Sequence, residues 1–383
     1  MAFMAVKLTS GGKSVFPLTS PPPKPIPLPD EALIAKVVTY ADREITVTVP
    51  FPDTLELVAE VVNDLLEFPD QSGKTAKAIY IELDIEIQSW LVEIAMNPPS
   101  GVTAHVNPKN PTWAKFHIAY DENQPLNRAH LALSRKGGES YASWRLKFEF
   151  SPFKAGPVGL LKLIAGLEAV LPFMSVPKLI GAFSVARVDA AIDLIGATPL
   201  DLIAHIPKPG KRLVYVGSHG RPETVYFYEL KSPLKSPPKR LGVQTFGPNR
   251  LKLYERRDYQ LQLLLQPPYG PSPVTRAEVT MRWTKTRPLL SSLAELDNLF
   301  LGRRVAYAAA IPVGDPRAWR KFCLAAFGGG VDKSLYSWLP GPGAKFAKAY
   351  ANCVGDLIDQ TCWVGWWEGI KSTGLDAWVL ADS

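Results

Sequence analysis

The sequence predicts an α+β protein with a mostly antiparallel sheet, packed helices and a helical C-terminal region. Period-two alternation, which is typical of strands, recurs as far as about residue 288, and helix-like runs follow it. The chain has 383 residues, of which 46% are apolar and 21% charged. This length and composition allow a large core and exclude a disordered or collagen-like protein.

We divide the chain into three parts. Residues 1–30 are predicted to form a flexible arm, because residues 17–29 contain seven prolines, which lack the donors of helices and ladders. Residues 31–288 form the predicted α+β core. Residues 289–383 form a predicted helical C-terminal domain rich in tryptophan, since six of the ten tryptophans follow residue 318.

Periodicity assigns the individual elements. Residues 54–68 are predicted to form an amphipathic helix capped by Asp53 or Thr54. Residues 78–88, where apolar and acidic side chains alternate, are predicted to form a half-exposed strand. Further strands are predicted at 44–49, 144–150, 185–193, 213–216, 224–228, 250–254 and 274–283. Further helices are predicted at 156–173, 290–299 and 345–359.

Positive charge is concentrated in the middle of the chain. Residues 205–287 contain sixteen Lys and Arg residues against five carboxylates, whereas the formal charge of the whole chain is +7. A basic segment of this kind is typical of proteins that bind a phosphate backbone. The alternative is a set of solvated basic loops.

The predicted location is a reducing cytoplasm. Cys323, Cys353 and Cys362 are odd in number and form neither a disulfide framework nor a CxxC pair. The N-terminal residues lack the apolar stretch of a secretory signal. No apolar run approaches the ~18–20 residues that a bilayer requires, so no membrane association is expected.

The segment RVDAAID (187–193) contains the first candidate site residues. Strand alternation places Arg187, Asp189 and Asp193 on one face. Two carboxylates on an otherwise apolar strand are costly to bury unless they are paired or bind a metal. They fit a hard divalent cation such as Mg²⁺ or Mn²⁺. The alternative is a salt bridge from Arg187.

The segment RLKLYERRDYQ (250–260) contains a candidate nucleophile. Arg250, Lys252, Tyr254 and Arg256 share one face of the predicted strand. A tyrosine between cations suits transesterification on DNA, because the cations stabilise the phenolate and the charge of the transition state. The alternative is a tyrosine that packs at a strand end beside solvated arginines.

The segment TRAEVTMRW (275–283) supplies a third group. Alternation places Arg276, Glu278, Thr280 and Arg282 on one face. Glu278 would complete a set of carboxylates with those of the first segment, and Arg276 would bind phosphate.

These three segments, preceded by WRLKFEFSP (144–152), resemble the trans-acting replication initiation proteins of rolling-circle plasmids and filamentous phages. That family has a strand ending in Asn/Ser-Pro, a helix, an Arg-x-Asp-x-x-x-Asp strand, a Tyr-Asp/Glu-Lys/Arg strand and an Arg-x-Glu strand. The resemblance covers roughly residues 140–285. It implies a replication-initiator core and a DNA nickase, in which a tyrosine attacks one strand of an origin and remains linked to the 5′ phosphate. The freed 3′ hydroxyl then primes synthesis.

The resemblance also implies residue roles. Asp189, Asp193 and Glu278 would bind Mg²⁺ or Mn²⁺ or act in acid–base catalysis. Tyr254 would be the nucleophile, with Tyr259 as a close alternative. The residues expected to bind DNA phosphates are Arg187, Arg250, Lys252, Arg256, Arg257, Arg276 and Arg282. The family's Gly-Ser segment is not found directly before the tyrosine strand, so Tyr226 and Tyr228 also remain open as nucleophiles.

The expected partner is origin DNA, single-stranded or cruciform, with a host helicase or polymerase as a further candidate. The resemblance places such a protein in the bacterial cytoplasm, encoded by a plasmid or phage. The oligomeric state, a homo-oligomer included, stays open. One alternative function is a non-catalytic, sequence-specific DNA-binding protein such as a partition or transcription factor. Another is a docking protein that acts through its Trp-rich tail.

Overall fold

The computed structural model describes residues 31–61, 76–121, 127–137, 143–205, 211–216, 222–228, 250–256, 272–307, 356–358 and 360–380. Its strands are β1 (Ile34–Thr39), β2 (Glu44–Thr48), β3 (Phe51–Val61), β4 (Val102–Val106), β5 (Trp113–Ala119), β6 (Arg128–Lys136), β7 (Ser143–Phe150), β8 (Ser184–Ile195), β9 (Leu202–His205), β10 (Lys211–Val216), β11 (Pro222–Tyr228), β12 (Arg250–Glu255), β13 (Val274–Arg282), β14 (Arg304–Tyr307) and β15 (Asp356–Ile358). Its α-helices are α1 (Ala76–Met96), α2 (Pro152–Val170), α3 (Val176–Ala182), α4 (Trp366–Ser372) and α5 (Asp376–Val379).

One large antiparallel sheet dominates the described residues. Its strand order is β10-β11-β12-β13-β8-β3-β7-β6-β5-β4, and β2 pairs with both β1 and β8. Strands β3 and β8 lie side by side at its centre and are buried along nearly their whole length. The fold class is α+β, as the sequence predicts, with antiparallel pairing throughout the main sheet.

Helices cover one face of the sheet. Strand β7 alternates strictly, so that Trp144, Leu146 and Phe148 are buried in the hydrophobic core while the residues between them are more exposed. Helix α2 follows directly, and its N-cap residue Ser151 accepts a hydrogen bond from the Lys154 amide. Its buried side chains recur at helical spacing and join the same core.

The prediction of a helix at residues 54–68 is wrong. Residues up to Val61 form the central strand β3, and residues 62–68 lie outside the described residues. Strand β3 is buried on both faces of the sheet, so its sequence lacks the alternation of a half-exposed strand. In β3 only Glu60 is exposed, which allowed a helical pattern to be fitted to the run of apolar residues.

The prediction of a strand at residues 78–88 is also wrong, because these residues belong to helix α1. The local alternation is misleading, since Ile81 and Ile85 are 45% and 59% exposed. The core-facing side chains instead follow a helical period that continues beyond residue 88. They are Leu83, Ile87, Leu91 and Ile94.

The other predicted strands are confirmed, with bounds that differ by at most a few residues. The predicted helix at 156–173 is confirmed as α2, which begins earlier, at Pro152. At 290–299 the structure has a 3₁₀ helix over Leu290–Glu295. Of the predicted helix at 345–359, residues 356–358 form strand β15, and all the others lie outside the described residues.

The described part of residues 289–383 packs on the same core as the main sheet. Strand β14 pairs with β9 and β15 in a second sheet. The ring of Trp378 lies 5.4 Å from that of Phe150 and 6.4 Å from that of Phe148. The Trp366 indole donates to the Leu293 carbonyl oxygen at 2.9 Å. These tryptophans therefore serve as core residues.

None of the helices in the described ranges is both long enough and apolar enough to cross a bilayer.

We expect Gly369→Ala to lower the free energy of unfolding by about 1–3 kcal/mol, because a Cβ atom there would lie 1.9 Å from the Pro50 carbonyl oxygen. This overlap outweighs the gain of about 1 kcal/mol that alanine brings to a helix. Gly137→Ala, where no atom lies within 4 Å, is the control and should change stability by less than about 0.5 kcal/mol. Urea denaturation measures both. A neutral Gly369→Ala variant would show that α4 does not pack closely on the start of β3.

Candidate active site

The three motif segments lie on neighbouring strands of the main sheet, in the order β12, β13 and β8. Arg276 is paired across the strands with Tyr254 on one side and with Asp193 on the other. Glu278 is paired with Lys252, and Asp189 with Thr280. Directly paired residues point to the same side of a sheet, so these side chains converge on one face. The alternate residues of β8, among them Val188 and Ile192, belong to the hydrophobic core.

Arg276 is the central residue of this face, with a fully buried side chain. Its Nε and Nη2 donate to the two carboxylate oxygens of Asp193 at 2.6 and 2.7 Å, and its Nη1 donates to Asp53 Oδ1 at 2.5 Å. Its guanidinium also lies 4.7 Å from the ring centroid of Phe51 and 4.5 Å from that of Phe153. Two carboxylates and two rings thus fix the guanidinium in one orientation.

The electrostatics of this group follow from burial and charge pairing. Burial raises the pKa of Asp53, but Arg276 and Arg256 lower it more strongly, so the carboxyl pKa lies below its ordinary value. Burial lowers the pKa of Arg276, whereas Asp193 and Asp53 raise it well above its ordinary value. Lys154, in the first turn of α2, has a partly exposed side chain, but desolvation of its ammonium beside this buried group lowers its pKa, and the charge of Asp53 partly offsets this effect.

Asp189 and Glu278 form a second charged group beside Arg276. Both are buried, and each has a cationic partner: Arg187 donates to Asp189, and Lys252 donates to Glu278 Oε2 at 3.1 Å. Burial and the charge of Glu278 raise the pKa of Asp189 to about 6, against the opposing effect of Arg187. Two buried carboxylates, one of which raises the pKa of the other, have the donor chemistry of a hard-cation site.

Tyr254 lies next to both groups and is 7% exposed. The Lys252 ammonium lies 3.9 Å from the centroid of its ring. Burial and the charge of Asp53 raise the pKa of the phenol, and Lys252 and Arg276 lower it less strongly. The phenol is therefore protonated at neutral pH. Arg256 is also buried, with its guanidinium 5.0 Å from the ring centroid of Phe153.

The structure brings most of the predicted site residues together: Arg187, Asp189, Asp193, Lys252, Tyr254, Arg256, Arg276 and Glu278. Arg282 lies at the end of β13, paired with Arg187, and its side chain is 56% exposed. The backbone of Arg250 begins β12 opposite Tyr228. Arg257 and Tyr259 lie outside the described residues, as do the side chains of Tyr226 and Tyr228.

Sequence reasoning missed three site residues, namely Phe51, Asp53 and Phe153. Asp53 was assigned to a helix cap, whereas its carboxylate is a partner of Arg276. A carboxylate within the apolar run VPFPDTLELV was the available signal, since a charge there requires a partner. Nothing local in the sequence marks Phe153, because its role depends on where α2 begins relative to β3.

A row of histidines crosses the far end of the same sheet. The ring centroids of His105 and His117 are 5.2 Å apart, and those of His117 and His130 are 4.6 Å apart. Burial lowers the pKa of His117 to about 4 and also lowers the pKa of His130. Neutral imidazoles can pack edge to face in this way. Within the described ranges, no group of three or more His, Cys, Asp or Glu side chains has the arrangement of a metal site.

Comparisons with known proteins give this chain no family. No protein-family model and no curated protein matches it. Among solved structures, the di-domain ARO/CYC BexL from the BE-7585A biosynthetic pathway aligns with 71% of this chain and 94% of its own chain, at 11% identity and a TM-score of 0.17. A similarity at this level supports neither a fold assignment nor a function.

We expect Arg276→Met to lower the free energy of unfolding by about 3–5 kcal/mol, because it leaves the charges of Asp193 and Asp53 buried without a cation. Arg282→Met, on the same strand but exposed, should cost less than about 0.5 kcal/mol. Chemical denaturation measures both variants. Adding Asp193→Asn to Arg276→Met should recover part of the loss, and no recovery would contradict the pairing.

The pKa of Asp189 provides a direct test of its proximity to Glu278. A ¹³C-carboxyl NMR titration should show Asp189 titrating near pH 6, and Glu278→Gln should lower that value, since it removes the repelling charge. Because the folded-state pKa is raised, the stability that this group contributes is full below about pH 4 and is lost as the pH rises through 6.

Asp84 is the internal control for that titration. Burial raises its pKa, but hydrogen bonds from Arg135 and Trp144 lower it below the ordinary value. An Asp189 resonance that titrates together with Asp84, below pH 4, would contradict the proximity of Asp189 and Glu278.

Proposed function

We propose that this protein is a replication initiator that nicks one DNA strand at a plasmid or phage origin through a phosphotyrosine intermediate. The observation that supports this most is the meeting of three separate sequence segments on strands β8, β13 and β12. There a tyrosine, an arginine and the three carboxylates of Asp189, Asp193 and Glu278 share one face. Phosphodiester transesterification requires these groups: a nucleophile, cations for the phosphorane charge, and oxygen ligands for a divalent cation.

In the proposed reaction, the Tyr254 oxygen attacks the phosphorus of one phosphodiester. A tyrosine–phosphorus ester forms and the bond from phosphorus to the 3′ oxygen breaks. The phenol proton passes to solvent, and the departing 3′ oxygen takes up a proton and becomes the primer hydroxyl. Attack of a 3′ hydroxyl on the phosphotyrosine reverses these changes and rejoins the strand. No oxidant or energy source is required.

Asp189 and Glu278 are the residues that fit Mg²⁺ or Mn²⁺. Their mutual repulsion means that each gains from a shared cation, and two carboxylates suffice when substrate phosphate supplies further oxygens. Bound there, the cation would polarise the scissile phosphate. Asp193 is left out of this pair, because both of its carboxylate oxygens accept hydrogen bonds from Arg276.

The remaining cations of this face would position the DNA. Arg187 and Lys252 flank the two carboxylates, and Arg282 is exposed at the strand end, where a phosphate would reach it first. Arg276 would act from within the site, by holding Asp193 and Asp53 and by lowering the pKa of Tyr254.

We extend the proposal to single-stranded or cruciform origin DNA as the partner and to the cytoplasm of a bacterium as the location.

A second candidate function is a non-catalytic, sequence-specific DNA-binding protein. The burial of Tyr254 favours it, because a phenol that is 7% exposed and has a raised pKa is poorly placed to attack a phosphate without local rearrangement. Under this alternative, the paired charges of β8, β12 and β13 hold the strands together and the basic segment binds DNA.

The deciding experiment is detection of a covalent DNA–protein adduct. Purified protein is incubated with Mn²⁺ or Mg²⁺ and with labelled single strands that have a randomised central sequence. Denaturing gels and mass spectrometry then identify any adduct and the linked tyrosine. We expect an adduct at Tyr254 in the wild type and its loss in Tyr254→Phe, with DNA binding changed by less than about threefold, since only the nucleophilic oxygen is removed.

Tyr259→Phe is the matched control and should retain the adduct. An adduct that persists in Tyr254→Phe but vanishes in Tyr259→Phe would support the nickase activity and identify Tyr259 as the nucleophile. DNA binding without any adduct in either metal would favour the non-catalytic alternative.

A further inference from the structure

The main sheet consists of two halves with the same topology. In one half, β3 is followed by β4, β5, β6 and β7, and β7 returns to pair with β3. In the other, β8 is followed in the main sheet by β10, β11, β12 and β13, with β9 contributing to the second sheet, and β13 returns to pair with β8. Since β3 and β8 pair with each other, the strand order reads identically from both edges. A twofold axis through the β3–β8 ladder relates the two halves.

The register of this ladder locates the axis at the Leu55–Val188 pair. On one side of it the pairs are Glu56–Arg187, Leu57–Val185 and Val58–Ser184, and on the other they are Thr54–Asp189, Pro52–Ala190 and Phe51–Ala191. Counted outward from the Leu55–Val188 pair, each pair on one side has a corresponding pair on the other side. The two bulges also correspond, since each leaves one residue unpaired at the same distance from the axis. The symmetry therefore holds residue by residue.

The axis assigns a counterpart to each site residue. Glu60, paired with Arg145, corresponds to Asp193, paired with Arg276. Both pairs are ionic, with an Arg145 Nε to Glu60 Oε1 distance of 3.7 Å. Ser134 is the cross-strand neighbour of Arg145, in the place that Tyr254 has beside Arg276. One half thus repeats the ion pair of the candidate active site without its tyrosine.

A groove of about 470 Å³ lies at this counterpart position. The residues that line it include the small residues Ala132, Ser134 and Ala186 and the aromatic residues Trp113 and Trp283. Trp113 is 48% exposed, whereas Trp283 is half-buried and packs against the hydrophobic core. An exposed indole ring beside small residues is suited to stack on a planar ligand.

The groove is strongly cationic. Four of the residues that line it are Arg145, Lys147, Arg282 and Arg287, against a single lining carboxylate, Glu56. Glu56 is already shared by Lys147, at 2.9 Å, and Arg282, at 3.9 Å. The Nε atom of Arg287 is buried and has no hydrogen-bond partner in the described part of the chain. Arg145 pairs with Glu60 at 3.7 Å and Lys147 also with Glu149 at 3.8 Å, so an anionic ligand would find its unsatisfied donor at Arg287 and its most exposed cation at Arg282.

We propose that this groove is a second, non-catalytic site for single-stranded DNA, related by the internal twofold to the Tyr254 site. The inference rests on the proposed function for its choice of DNA as the ligand. The exposed ring of Trp113 stacks on a base, the half-buried Trp283 borders the same space, and the four cations hold the phosphates, which is how sequence-independent single-strand sites are built. Since Ser134 takes the place of Tyr254, the groove holds the strand without forming an ester to tyrosine.

The test measures binding of a fluorescent dT₂₀ strand to the full-length protein by anisotropy, at several salt concentrations. Trp113→Ala should weaken binding about tenfold and leave the salt dependence unchanged, because it removes stacking alone. Arg287→Ala, which the proposed active site does not use, should reduce the slope of log K against log salt by about 0.7, the value for one lost phosphate contact to a single strand. Trp113→Phe, which keeps an aromatic ring, should retain binding within about threefold.

Lys178→Ala, an exposed lysine on α3, is the control for loss of a charge outside the groove and should match the wild type. Thermal melting confirms that each variant is folded. Wild-type protein that does not bind dT₂₀, or groove variants that bind it as the wild type does, would overturn the inference. The adduct assay is run on the same variants. If the groove variants lose affinity for dT₂₀, the binding site in the groove is supported even when no adduct forms. The binding assay therefore tests the groove and the adduct assay tests the nickase, independently of each other.

Discussion

The buried guanidinium of Arg276 is the constraint on which this face of the sheet depends. A charge with no solvent exposure is tolerated only when it is paired and hydrogen-bonded, and Arg276 meets both conditions through Asp193 on β8 and Asp53 on β3. Three strands are thereby held in one register by one side chain. The rings of Phe51 and Phe153 exclude water from the group, which strengthens these bonds and increases the penalty for losing any one of them.

The ion pairs around Arg276 also affect how strongly the candidate active site would attract an anionic ligand. Around Tyr254, four carboxylates face five cations: Asp53, Asp189, Asp193 and Glu278 against Lys154, Arg187, Lys252, Arg256 and Arg276. The groove of the other half has a similar balance of charge, because Glu60 and Glu149 pair with Arg145 and Lys147 in addition to the lining carboxylate Glu56. The two sites differ in exposure, since Arg282 is 56% exposed and Arg276 is fully buried. In the proposed function, a strand therefore contacts the exposed cations of the groove first, and the candidate active site acts on DNA that other contacts already hold.

The sequence predicted the parts of this structure that depend on local pattern. Alternation located β7, β8, β12 and β13 and placed Asp189, Glu278 and Tyr254 on a shared face. It failed at β3, because a strand buried on both faces lacks alternation, and at α1, where a local coincidence of apolar and acidic residues concealed the longer helical period. It also missed Asp53 and Phe153, since their proximity to Arg276 arises from pairing between β3 and β8 and from the start of α2, far apart in sequence.

The two halves show how one register can give two different environments. Where the candidate active site has Lys252 and Tyr254 on its face, the other half has Ala132 and Ser134 at the corresponding positions. The smaller side chains leave open space at the positions that the lysine and the tyrosine fill, and both of them line the groove. In one half the large side chains close the face around a buried phenol and its ion pairs. In the other half the small side chains leave a cationic cleft beside the exposed ring of Trp113. Side-chain size at two strand positions therefore separates a site suited to chemistry from a site suited to binding.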